Sequence, residues 1–244
     1  MWYTVIISGE TDGFQKHSCR LFRKDFFRKD HSSMKAYQRL LSYVKISTPS
    51  NEESTSSPSS QCQFDLARLL VEELKDLGIS DVSLDEHCYV YAHLPATEGL
   101  EHCKALGFIA HMDTVSDFCD HAVTPVVTKN YNGKELPLGT SGRTLSPEMF
   151  PHLASLAGRT LITSDGTTIL GADDKAGIAE IITALEHILT EKIPHGPLCV
   201  AFTPDEEIGM GPAHFDVKKF GADHAYTLDG DTEGEIQYEN FNAC

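Results

Sequence analysis

The stretch Leu106-Gly107-Phe108-Ile109-Ala110-His111-Met112-Asp113-Thr114 decides the fold, because an apolar run passes directly into a histidine and an aspartate. A short apolar run of this kind predicts a buried strand, and side chains two residues apart at its end point the same way. His111 could therefore bind a metal ion while Asp113 holds its imidazole from behind. By itself, such a pair is more often structural than metal-binding.

Three further acidic clusters lie at the ends of predicted strands or at a helix start. The segment Gly171–Gly177 places Asp173 and Asp174 where they could either cap a helix or bridge two cations. Asp205-Glu206-Glu207 and Asp229 each follow an apolar run, and each could be an ordinary solvated turn. Four such clusters together indicate a two-zinc hydrolytic site, since structural zinc sites are usually rich in cysteine.

Helix and strand patterns alternate through most of the chain. Strand-like runs occur around Cys88–Tyr91 and at Ala105–Ala110, Leu198–Thr203 and Ala225–Leu228, while helical spacing is seen from Met34, over 66–77, in a short helix from Ser146 and over 174–190. The serine-rich stretch 47–60 is predicted to be a loop. We therefore expect an α/β fold, a mostly parallel sheet with flanking helices, whose ligands bind at the carboxyl ends of the strands.

Charge and cysteine content exclude several classes of partner. The 244 residues include 20 Lys and Arg against 36 Asp and Glu, and the resulting net charge of −16 argues against nucleic acid or an anionic membrane surface. No apolar run approaches the ~18 residues of a membrane span. The seven cysteines form no C-x-x-C motif and there is no Asn-x-Ser/Thr sequon, so reduced thiols and a cytoplasmic location are expected.

The first 33 residues differ from the rest of the chain. They contain the tandem repeat Phe22-Arg23-Lys24-Asp25 and Phe27-Arg28-Lys29-Asp30 and are basic, whereas the remainder is acidic. We expect residues 1–33 to be an extension outside the fold.

Several motifs together resemble the peptidase T branch of the two-zinc aminopeptidase and carboxypeptidase family. They are Ala110-His111-Met112-Asp113-Thr114-Val115, Ser146-Pro147-Glu148-Met149-Phe150-Pro151, Thr160–Thr168, Gly171–Gly177, Pro204-Asp205-Glu206-Glu207-Ile208-Gly209 and Leu228-Asp229-Gly230. The resemblance runs from Met34 to the last residue.

The resemblance implies a particular set of zinc ligands. His111 and Asp229 would hold one zinc ion and Glu207 the other, with Asp173 bridging the two. It also implies that the peptide bond between Asp173 and Asp174 is cis.

The resemblance further implies an aminopeptidase that releases the N-terminal residue of small tripeptides. Asp113 would orient His111, and Glu206 would be the general base that takes a proton from the attacking water. A related dipeptidase, an N-acyl amino acid deacylase and a non-catalytic metal-binding remnant remain as alternatives. The sequence leaves the oligomeric state open.

Domain boundaries also follow from the resemblance. Residues 34–232 would form the catalytic domain, and residues 233–244 would begin a lid or dimerisation domain that is otherwise absent. Family members resume the catalytic domain after that lid and supply a final histidine to the second zinc. We therefore expect a chain that is incomplete at its C-terminus, with one complete zinc site and little activity.

Overall fold

The computed structural model describes residues 5–7, 34–119, 121–230 and 235–236. Their strands are β1 (Val5–Ile7), β2 (Asp81–Leu84), β3 (Val90–Leu94), β4 (Leu106–His111), β5 (Pro125–Thr128), β6 (Leu136–Pro137), β7 (Thr144–Leu145), β8 (Thr160–Ser164), β9 (Leu198–Thr203) and β10 (His224–Thr227). The α-helices are α1 (Ala36–Tyr43), α2 (Gln63–Asp76), α3 (Ala172–Glu191) and α4 (Val217–Phe220), and a 3₁₀ helix spans Pro151–Leu156.

The main sheet has five strands in the order β10-β4-β9-β3-β2. Strands β10, β4 and β9 are parallel to one another, whereas β9 pairs with β3 and β3 with β2 in antiparallel fashion. The predicted α/β class with flanking helices is confirmed, but the sheet is mixed. The sheet is mixed rather than mostly parallel because a short hairpin joins β2 and β3, and so short a connection permits only antiparallel pairing. In this hairpin the Asp85 carboxylate accepts the N–H groups of His87 and Tyr89.

The core lies between this sheet and helices α1, α2 and α3. All six residues of β9 are buried, as expected for a strand with neighbours on both edges and covered faces. Leu70 of α2, Ile178 of α3 and Phe202 of β9 belong to one cluster of buried side chains. The sheet therefore holds the carboxyl ends of β4, β9 and β10 at one edge of a packed core.

A second, smaller unit of antiparallel strands was not predicted from the sequence. It contains the sheet β1-β8-β5, the hairpin β6-β7 and a separate core around Tyr131, Leu153 and Leu161. The short helix predicted from Ser146 begins instead at Pro151. Proline disfavours helical geometry in the residue before it, and Phe150 is indeed not helical, with φ −128° and ψ 80°.

Both predicted chain-end boundaries stay predictions. Within residues 1–33 the structure describes only 5–7, which pair with β8 through the register Val5 opposite Ile162. Residues 233–234 and 237–244 lie outside the described residues, so the expected lid start is not tested. Among the residues that are described, none of the helices combines the length and apolar character that crossing a membrane requires.

A buried ionic network joins the three helices of the core. The Arg39 guanidinium donates to Glu73 at 2.7 Å and to Glu186 at 2.9 Å, and it also donates to the Thr183 hydroxyl at 3.0 Å. The Tyr43 hydroxyl donates to the other Glu73 oxygen at 2.5 Å. Arg39 and Glu73 are almost fully buried, and each neutralises the charge of the other. Either charge alone would be costly to bury in the core.

We expect Arg39→Met to lower the free energy of unfolding by about 3–5 kcal/mol, because it leaves the Glu73 carboxylate buried without its cation. Urea unfolding of the chain measures this change. The double variant Arg39→Met/Glu73→Gln should recover part of the loss. Arg68→Met is the matched control, because Arg68 pairs with Asp65 on the solvent-exposed side of α2. An equal effect in the two single variants would contradict this account.

Candidate metal centre

His111, Asp173 and Asp229 converge at the carboxyl ends of the parallel strands. His111 is the last residue of β4, and its Nε2 lies 3.0 Å from Asp173 Oδ1 and 3.9 Å from Asp229 Oδ2. One ligand atom from each residue lies within 4.8 Å of the other two. Asp229 reaches this position because β10 runs parallel to β4, with the Leu228 N–H donating to the Ile109 carbonyl at 2.8 Å.

Asp113 lies beneath the imidazole and is fully buried. Its Oδ1 is 3.4 Å from His111 Nδ1, and the backbone carbonyl of Asp113 is 3.0 Å from the same nitrogen. The two carboxylate oxygens also accept the backbone N–H groups of Glu206 at 2.9 Å and Glu207 at 3.1 Å. Asp113 thus links the histidine to the turn that carries both glutamates.

Asp173 and Asp174 are adjacent in the chain but make different contacts. The peptide bond joining them is cis. The buried Asp174 carboxylate accepts the Gly177 N–H at 3.1 Å, as a helix cap does, and the His111 N–H at 3.2 Å. Asp173 instead contacts the His111 ring. A methyl group on Gly177 would lie 2.3 Å from the Leu228 carbonyl, so a glycine is required for α3 to approach the end of β10 this closely.

Asp205 anchors the acidic turn and is the residue whose role the sequence did not indicate. It has φ +57°, and its buried carboxylate accepts the Ser59 N–H at 2.7 Å, the Ser59 hydroxyl at 2.5 Å and the Gln63 side-chain amide at 2.7 Å. The stretch 47–60 is a loop, as predicted, but it also supports the site. Nothing in its serine-rich composition signals this contact.

Glu206 and Glu207 occupy different places around the centre. Glu206 Oε2 lies 3.7 Å from His111 Nε2 and is about half exposed. Glu207 is partly buried and lies outside the group formed by His111, Asp173 and Asp229. Burial, reinforced by the Asp173 carboxylate, raises the pKa of Glu207 to about 7. Burial also raises the pKa of Glu206.

The electrostatics of the centre suit a divalent cation. Burial opposes a charge on His111, but the adjacent Asp113 and Asp173 carboxylates outweigh it and raise its pKa to about 11. Burial raises the pKa of Asp229, with Asp173 adding to the effect. One imidazole nitrogen and two carboxylate oxygens, supported by a second carboxylate behind the imidazole, form a donor set that fits a metal ion. The residues therefore offer one metal site.

Comparison with family models gives no match. Among curated proteins, peptidase T of Halothermothrix orenii is 55% identical over 213 residues, which are 86% of this chain and 52% of that protein. Peptidase T of Bacillus licheniformis is 53% identical over 212 residues, again 86% of this chain and 52% of the relative. The chain spans about half the length of the curated relatives it matches.

Solved structures show the same fold. An aminopeptidase PepT from Bacillus cereus aligns with a TM-score of 0.57 at 24% identity, covering 81% of this chain and 43% of that one. A tripeptidase from Staphylococcus aureus aligns with a TM-score of 0.57 at 25% identity, covering 82% of this chain and 44% of the other. In the alignments with the curated proteins named peptidase T, more than half of the aligned residues are identical. The chain therefore belongs to the peptidase T family.

Proposed function

We propose that this chain carries the metal-binding half of a tripeptide aminopeptidase, a zinc-dependent metallopeptidase of the cytoplasm. The single observation that carries the proposal is the convergence of His111, Asp173 and Asp229, with Asp113 buried behind the imidazole. The names of the relatives, peptidase T and tripeptidase, supply the substrate class.

Four residues would hold zinc. His111 and Asp229 are proposed to bind one ion, and Asp173 is proposed to bridge to a second ion bound by Glu207. The position of Glu207 supports this assignment, because its N–H donates to Asp113 Oδ2 at 3.1 Å beside the first group of ligands, to which Glu207 itself does not belong. When bound, zinc would supply Lewis acidity to the peptide carbonyl.

Glu206 is proposed as the general base. Its carboxylate reaches the rim of the centre beside His111 and is half exposed, so it can contact both a water molecule and a peptide. Burial, with the Asp229 carboxylate adding to it, raises the pKa of Glu206 above the ordinary value of a glutamate. Glu206 would take a proton from the attacking water and then give it to the departing amine. Asp113 would act as a positioning residue by fixing the orientation of His111.

Metal content tests the proposed first site. We expect about one tightly held zinc ion per chain after dialysis, because three protein ligands are the usual number for a catalytic zinc. Elemental analysis should show that His111→Ala and Asp229→Asn lose this ion. His102→Ala is the matched control, since His102 is exposed and lies before the opposite end of β4. Retention of zinc by His111→Ala would contradict the assignment.

We expect the glutamine variants of Glu206 and Glu207 to lose different properties, turnover in the first and bound zinc in the second. In a protein of the relatives' full length that carries this segment, Glu206→Gln should keep its zinc but lose about 10²–10⁴-fold in kcat, because an amide cannot accept the proton. Glu207→Gln should lose zinc instead. Turnover assays and elemental analysis on the same preparations separate the two effects. Equal zinc loss in both variants would contradict the division of roles.

Substrate class is tested on the same full-length protein. A tripeptide with a free N-terminus should be cleaved, and a dipeptide and an N-acyl amino acid should be cleaved much more slowly. Preference for either of the latter would replace the tripeptidase proposal. Cleavage of none of them by zinc-loaded protein would favour a non-catalytic metal-binding protein.

A further inference from the structure

Asp205 comes directly before the proposed general base, Glu206, and takes no part in the proposed reaction. Its carboxylate is buried and lies outside the proposed group of metal ligands. A buried carboxylate needs hydrogen-bond partners, and this one accepts from the Ser59 N–H, the Ser59 hydroxyl and the Gln63 side-chain amide. The acid therefore joins the turn after β9 to the serine-rich loop 47–60 and to α2.

Gln63 pairs with Asp205 through two hydrogen bonds that run in opposite directions. Its Nε2 donates to Asp205 Oδ1 at 2.7 Å, and its Oε1 accepts the Asp205 N–H at 3.3 Å. Gln63 is the first residue of α2 and is fully buried. One amide group thus holds both the side chain and the backbone of Asp205.

The backbone of Asp205 has a conformation that needs such support. Its φ of +57° lies in the left-handed region, which is unfavourable for residues other than glycine, although aspartate tolerates it better than most. The Asp205 carbonyl also accepts the Met210 N–H at 2.9 Å, which closes the turn. The next two N–H groups, those of Glu206 and Glu207, both donate to the Asp113 carboxylate. The direction of the two glutamates therefore depends on the backbone of Asp205.

The serine-rich loop that holds Asp205 is also bound to the segment that carries Asp113. The Thr48 hydroxyl donates to the Met112 carbonyl at 2.8 Å, and the Thr48 carbonyl accepts the Thr114 N–H at 3.0 Å. The turn after β9 and the segment after β4 are thus joined twice, once through the Asp113 carboxylate and once through this loop. The loop supplies a fixed support against which the turn is held.

We propose that Asp205, held by Ser59 and Gln63, is a positioning residue that sets the conformation of the turn and thereby places Glu206 at the metal centre. It acts through the backbone of the turn rather than by contact with the metal ion or the peptide. The catalytic consequence rests on the proposed function, whereas the conformation of the turn concerns this chain alone.

Amide hydrogen exchange of the full chain, followed by NMR, tests the conformation of the turn. In Asp205→Asn one carboxylate oxygen becomes an NH₂ group, which then faces other donors. We expect the amides of Glu206 and Glu207 to exchange about tenfold faster or more, without a comparable change in β9. Adding Gln63→Glu should restore slow exchange, because the introduced carboxylate accepts from the new NH₂ group and still accepts the backbone N–H of position 205.

Glu73→Gln is the matched control. Glu73 is also a buried carboxylate that binds through α2, but its partners are Arg39 and Tyr43. This variant should lower the free energy of unfolding and leave the exchange of the Glu206 and Glu207 amides unchanged.

Kinetics of a protein of the relatives' full length that carries this segment test the catalytic consequence. Asp205→Asn should lower kcat about tenfold or more while KM and zinc content stay unchanged, because a misplaced base affects the transition state and not the binding of substrate or metal. Adding Gln63→Glu should recover kcat. Loss of stability alone would leave the kcat of the folded enzyme as it was.

Unchanged exchange at Glu206 and Glu207 in Asp205→Asn, or an equal acceleration in Glu73→Gln, would overturn the proposal. An unchanged kcat of Asp205→Asn in a protein that cleaves tripeptides would also overturn it. If the unaltered full-length protein cleaves no tripeptide, the proposed function fails, and the exchange rates alone decide whether Asp205 holds the turn.

Should Asp205→Asn not fold, Ser59→Ala decides the question on the same two amides. It removes one donor from the Asp205 carboxylate and keeps the backbone N–H that donates to the other oxygen. Exchange at Glu206 and Glu207 should become faster by a smaller factor than in the aspartate variant, and an unchanged rate would count against the proposal.

Discussion

The buried carboxylate of Asp113 holds the candidate metal centre together. It faces the imidazole of His111 at the end of β4 and accepts two backbone N–H groups from the turn after β9. Burying a carboxylate without hydrogen-bond partners costs several kcal/mol, and these contacts supply partners to both of its oxygens. The same contacts fix the ends of two neighbouring strands relative to each other. The positions of Glu206 and Glu207 therefore depend on a residue that is itself inaccessible to substrate.

Much of the fold and of the site could be predicted because apolar runs and their polar ends are local features. The apolar run Leu198–Thr203 predicts strand β9 with its observed bounds, and the helical spacing over 66–77 predicts most of α2, since β9 is buried on both faces and α2 on one. His111 and Asp229 are indicated by the sequence because each comes directly after an apolar run. Strands that are parallel and adjacent bring their carboxyl ends together, so the sequence indicated the cluster as well as its members.

The remaining features depend on contacts between distant segments, which no local pattern reveals. Asp205 looked like one member of an acidic turn, yet it binds Ser59 and Gln63, more than 140 positions away in the chain. The hairpin of β2 and β3 made the sheet mixed because its tight connection does not permit a parallel pairing. The second core around Tyr131 was missed because its strands are short and weakly patterned.

The fold must also support a concentration of negative charge. Burial raises the pKa of Asp174 and of Asp229, so ionising these groups together opposes formation of the centre. A cation that binds the folded chain offsets this cost and stabilises it by mass action. The scaffold holds the ligand atoms of His111, Asp173 and Asp229 within 4.8 Å of one another. Two sets of buried contacts away from the metal-binding side chains support this arrangement. The Arg39 network joins the core helices, and Asp205 fixes the turn after β9 to Gln63 of α2.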